Sequence, residues 1–149
     1  MIRFIIAILF VVLFLLFSYI LFIIEWIVGK INKRAKDISS LRIVQWAFKV
    51  VLWISGVKLT VIGKENMPKE AALYVGNHRS FFDILIAYVQ CENLTGFVSK
   101  DTMNKVPSFR VWMRYLYCLF LDRKDIKQGM KTILQAIEYV KQNVSIFIF

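Results

Sequence analysis

"YVGNHRSFFDILI", residues 74–86, changes character twice. It opens as an apolar, β-rich run, breaks into the polar knot Asn77-His78-Arg79-Ser80, and resumes as an apolar run that carries Asp83. The opening reads as a strand that Gly76 ends. Ser80 with a carboxylate three positions later is a capping box of the S-x-x-D kind, so a helix begins near Phe81. His78, the only histidine in the chain, then falls in the loop between strand and helix. In an unbroken helix His78 and Asp83 would lie about 140° apart, on different faces. The strand–loop–helix reading instead lets the histidine fold back onto the first helical turn. A plainer reading uses the same residues: Asp83 caps helix amides, and His78 is an ordinary loop residue.

Outward from this stretch the same alternation continues. "LTVIG" (59–63), "ALYVG" (72–76), "GFVSK" (96–100), "CLFLD" (118–122) and "VSIFIF" (144–149) are strand candidates. Helices are expected over 81–90, 108–117 and 126–142. The last carries Ile126, Met130, Ile133, Leu134, Ile137 and Val140 on one stripe, with Asp125 as its cap and Gln128 three positions later. Strands alternating with helices predict an α/β fold with a largely parallel sheet and flanking helices. The continuous apolar character of the last two strands marks them as buried on both faces. "VSIFIF" suits the middle of a sheet, yet nothing follows it in this sequence, so the chain reads as C-terminally incomplete.

Upstream, residues 4–24 run without a charge, about 30 Å of helix and enough to cross a hydrocarbon core. A cleaved signal peptide would have a shorter apolar region and a small-residue cleavage site; Glu25-Trp26 follows instead. A retained transmembrane helix is therefore expected. Lys30, Lys33, Arg34 and Lys36 come next, which predicts a cytoplasmic flank and a cytoplasmic remainder at the cell membrane. Residues 41–55 predict a second, interfacial helix with Ser39 or Ser40 as its N-cap. Arg42, Gln45 and Lys49 form one polar stripe there, with Trp46 and Trp53 on the same side. The domain reading is a membrane anchor over 1–29, a basic flank and interfacial helix over 30–57, and an incomplete enzymatic domain over 58–149.

The chain has 149 residues, 58% of them apolar, and a formal charge of +10. Its basic residues flank the anchor and dot apolar segments, a pattern suited to anionic membrane lipids and not to nucleic acid. Cys91 and Cys118 are far apart in apolar surroundings and read as reduced core thiols. No metal ligand set is visible, and no cofactor is expected.

"GNHRSFFDILI" resembles the Asn-His-x-Ser-x-x-Asp block of the glycerolipid acyltransferases, and "FLDR" at 120–123 is similar to their Phe-Ile-x-Arg element. The resemblance spans roughly 59–149 and is greatest to the bacterial 1-acylglycerol-3-phosphate acyltransferases. It implies that His78 takes the proton from an acceptor hydroxyl and that Asp83 holds the other ring nitrogen. The hydroxyl would then attack the thioester of acyl-CoA or acyl-carrier protein directly, making phosphatidic acid from lysophosphatidic acid. Arg123 would bind the acceptor phosphate through its planar fork, with Lys100 in the same anionic pocket. The resemblance leaves two alternatives: acylation of glycerol-3-phosphate, and a shortened, non-catalytic membrane relative. The family's Phe-Pro-Glu-Gly-Thr-Arg element would start at Phe149, and its later residues are not in this sequence. The 149-residue chain by itself is therefore expected to turn over poorly and to self-associate through its terminal strand.

Overall fold

The computed structural model describes residues 1–122 and 124–149. The chain divides into two compact units. One comprises Met1–Met67 and Arg79–Cys91, the other Pro68–His78 and Glu92–Phe149.

The first unit is helical. Helix α1 spans Ile2–Ile31 and α2 spans Lys33–Ser55, about 45 and 35 Å at 1.5 Å per residue. Both are long and apolar enough to cross a membrane by length and composition. Asn32 alone makes the joint. Its backbone N–H donates to the Val28 carbonyl, while its side-chain oxygen accepts from the Ala35 N–H. That oxygen satisfies one of the amides a helix start leaves open. α2 then returns antiparallel along α1, as the contact of Phe10 with Trp46 requires.

The N-cap expected at Ser39 or Ser40 is thus corrected to Asn32, and the two serines do something else. Glu25 of α1 is only 3% exposed. Its Oε1 accepts from the Ser39 hydroxyl at 2.6 Å, and its Oε2 from the Ser40 hydroxyl at 3.2 Å. A buried carboxylate needs such donors.

α2 ends at Gly56, whose φ of 73° is left-handed and whose N–H donates to the Leu52 and Trp53 carbonyls. The strand expected over 59–63 does not form. Its backbone is not in a strand, and Leu59, Val61 and Ile62 are exposed. Helix α3, Phe81–Gln90, packs on α2. Gln45 leaves the predicted polar stripe to become buried, donating to the Tyr88 and Cys91 carbonyls at the end of α3. Arg42, Lys49, Trp46 and Trp53 remain exposed.

The second unit holds a four-stranded, wholly parallel sheet. Its strands are β1 (Leu73–Val75), β2 (Thr95–Lys100), β3 (Leu119–Leu121) and β4 (Ser145–Ile148), in the order β1-β4-β2-β3. The parallel α/β expectation holds. The terminal run is interior, as its sequence predicts: β4 pairs with β1 on one side and β2 on the other, and Ile146 is fully buried. Both hydrogen-bonding edges of β4 are therefore occupied within the chain, which corrects the premise that this strand offers an open edge for self-association. Helices α4 (Pro107–Tyr115) and α5 (Ile126–Lys141) complete the unit, α5 packing on β3 and β4.

Asp125 caps α5 by accepting from the Gln128 N–H. Gln128 does not return the bond; its side chain accepts from the Asp122 N–H and donates to the Phe120 carbonyl. Much of the predicted apolar stripe of α5 lies outward, with Ile126, Met130, Ile133, Leu134 and Ile137 exposed. Neither cysteine is in a disulfide. The Cys118 thiol, which accepts from the Phe97 N–H, is pushed up to about 12 by burial, the hydrogen bond opposing the shift.

Candidate active site

In parallel α/β sheets, ligands bind beyond the carboxyl ends of the strands. His78 lies beyond that end of β1 and is exposed. Two features of the terminal strand hold it there. The Gly76 N–H donates to the Ile148 carbonyl, so the β1–β4 ladder continues one residue past β1. The imidazole then stacks on Phe149, ring centroids 4.8 Å apart and planes 27° from parallel.

Phe149 rests in turn on Phe147 and Phe97. Tyr74, Phe147 and Phe97 are register partners across three strands and stack on one another. This aromatic floor beneath the histidine escapes a reading of motifs. Its signal lay in the period-two spacing of Phe147 and Phe149, which puts both rings on one face of a strand. The same packing leaves Gly76 little room: a Cβ there would lie 3.0 Å from the Phe147 ring and 3.3 Å from that of Phe149.

Lys100 ends β2 at the same carboxyl edge, also exposed. Arg123, the expected phosphate ligand, lies outside the described residues. Arg110 and Arg114 sit on the exposed side of α4.

In the other unit, the start of α3 is built as the sequence predicts. The Ser80 hydroxyl accepts from the Phe82 N–H at 3.2 Å. Asp83 Oδ2 accepts from the Arg79 and Ser80 N–H groups at 2.6 and 2.7 Å, closing the capping box. The cap reading of Asp83 is therefore realised. It does not compete with an orienting role, because a carboxylate offers about four acceptor positions and two amides on one oxygen fix its plane.

Comparisons with known proteins agree with this architecture. The Acyltransferase family profile matches residues 58–149. A probable 1-acyl-sn-glycerol-3-phosphate acyltransferase of Mycoplasma pneumoniae is 32% identical over 103 residues, which is 66% of this chain and 38% of that protein. The 1-acyl-sn-glycerol-3-phosphate acyltransferase of Borreliella burgdorferi is 28% identical over 102 residues, 68% of this chain and 41% of that protein. The chain thus spans well under half the length of these relatives. The crystal structure of the 1-acyl-sn-glycerophosphate acyltransferase PlsC from Thermotoga maritima matches with a TM-score of 0.71 at 20% identity, over 97% of this chain and 60% of that one. At that identity the likeness is one of fold.

Proposed function

Because the chain belongs to the Acyltransferase family, we propose that it acylates the free hydroxyl of 1-acylglycerol-3-phosphate, giving phosphatidic acid. The observation that carries this reading is the Asn77-His78-Arg79-Ser80-x-x-Asp83 block, with its histidine beyond a parallel strand and its aspartate fixed in a helix cap. His78 takes the proton of the acceptor hydroxyl, and Asp83 steadies the imidazolium that results. The hydroxyl oxygen attacks the thioester carbonyl of acyl-CoA or acyl-carrier protein, the C–S bond breaks, and the imidazolium returns its proton to the departing thiolate. No acyl-enzyme intermediate is needed. Such general-base assistance contributes about 10²–10⁴ in rate. Arg123, with Lys100 in the same anionic pocket, neutralises the acceptor phosphate.

The reading also holds the protein at the cell membrane through α1 and α2, with the transfer chemistry on the cytoplasmic side. Support comes from the cationic flank of Lys30, Lys33, Arg34 and Lys36. A hairpin that crossed twice would put that flank and the following segment on opposite faces. The hairpin is accordingly read as lying along the cytoplasmic face, which keeps the flank among anionic headgroups and the following segment on the same side.

The test is acceptor choice, measured in membranes from cells that produce the protein. Acyl transfer to 1-acylglycerol-3-phosphate should exceed transfer to glycerol-3-phosphate and to lysophosphatidylcholine, and Arg123→Ala should raise KM for the phosphorylated acceptor more than for the acyl donor. Preference for glycerol-3-phosphate would move the reaction to the first acylation step.

A further inference from the structure

Between α1 and α2 runs a groove of about 550 Å³. Phe10, Leu13, Phe17 and Leu21 line it from α1, and Arg42 and Trp46 from α2. The α1 residues recur at spacings of three and four, so they form one continuous face. Apart from Arg42 every lining side chain is apolar. The volume lies within the range of small-molecule sites.

Arg42 is not there by accident of exposure. Its Nη1 donates to Gln45 Oε1 at 2.8 Å, and Gln45 is buried with its amide nitrogen on the Tyr88 and Cys91 carbonyls. The guanidinium is thereby tethered to the helix core at the groove's border. Among the described residues it has no carboxylate partner, so its charge and most of its donors are available to a ligand. Trp46 stands one turn further along α2, half-exposed and edge-on to Phe10.

We infer that this groove is a binding site for one anionic glycerophospholipid of the surrounding membrane, its acyl chain along the α1 face and its phosphate on Arg42. An aliphatic occupant suits a lining without polar groups, and a planar cation at the border selects a phosphate. A neutral hydrocarbon would leave Arg42 beside lipid without a counter-charge, at a cost the phosphate removes. The site rests on membrane insertion of α1 and α2 and not on the acyl-transfer chemistry. None of its lining residues is among those assigned to the acceptor phosphate.

Trp46 supplies the reporter. The chain is placed in phosphatidylcholine nanodiscs containing increasing fractions of phosphatidylglycerol brominated on its acyl chains, and the quenching lost on Trp46→Phe is the signal. Brominated phosphatidylglycerol should quench Trp46 at a mole fraction about fivefold lower than brominated phosphatidylcholine, as one basic contact to an anionic lipid allows. Arg42→Gln should abolish that difference, and Arg42→Lys should keep part of it. Leu13→Phe, which fills the groove while sparing the cation, should weaken quenching by both lipids. Equal quenching by the two lipids, or a preference that survives Arg42→Gln, overturns the site. A chain that stays out of the discs overturns membrane insertion, and the site with it.

Discussion

At Gly96 the backbone of β2 passes so close to the turn after α4 that a Cβ would run into the Tyr117 carbonyl and the Cys118 amide. Tyr117 itself holds a left-handed φ of 59°, so the obstruction is fixed backbone and cannot swing aside. Gly96→Ala should lower stability by about 1–3 kcal/mol, as overpacking of a tight site does, measured by urea unfolding in detergent. In the same turn, the Cys118 thiol gives the fold an alkaline limit. Its ordinary value is 9.0, and burial raises it to about 12 in the folded protein. Between those values the unfolded chain binds fewer protons than the folded one, so stability present below pH 9 is lost as pH rises toward 12. Tyr139 is also pushed up, by burial first and then by Cys118, and acts in the same direction. Cys118→Ser keeps an acceptor for the Phe97 amide and should flatten the fall of unfolding midpoint with pH above 9.

Among the elements, the α1–α2 hairpin depends on one buried carboxylate. Glu25 takes a hydroxyl from each of Ser39 and Ser40, and removing it leaves both hydroxyls inside the helix pair without that acceptor. Ser39 keeps the Lys36 carbonyl, but the buried Ser40 loses its acceptor, so Glu25→Ala should cost about 1–3 kcal/mol, the penalty of a stranded buried polar group. Glu25→Gln, which still accepts through its amide oxygen, should cost less. Thermal unfolding followed by circular dichroism in detergent separates the two. This clamp also explains why the start of α2 was not legible in the sequence. Ser39 and Ser40 have the chemistry of an N-cap, but their partner lies fourteen and fifteen positions earlier on another helix. Gln45 misled in the same way, because its carbonyl partners are more than forty positions away. The 59–63 region has strand-forming residues, yet its described backbone takes no strand conformation, since propensity alone does not make a strand. By contrast α3 begins and ends where residues 80–90 alone place it, because the Ser80–Asp83 cap is a local interaction.

At the scale of the molecule, the parallel sheet and the interior place of β4 were readable because strand–helix alternation and a doubly apolar strand each admit few arrangements. The histidine and the capped aspartate were readable as a motif, whereas the ring stack from His78 through Phe149 to Phe97 required the strand order β4 beside β2. That stack gives the imidazole a fixed seat at the carboxyl edge of the sheet, and the cap gives Asp83 a fixed carboxylate. The central claim is that these two side chains carry acyl transfer and are not merely parts of a loop and a helix start. Turnover of 1-acylglycerol-3-phosphate should be compared for the unaltered protein, His78→Ala and Asp83→Asn, each in membranes at matched expression. His78→Ala should lower the rate by about 10²–10⁴, and Asp83→Asn, which keeps an acceptor for the cap, should lower it while the protein remains folded. Near-normal transfer by His78→Ala at neutral pH would contradict the account.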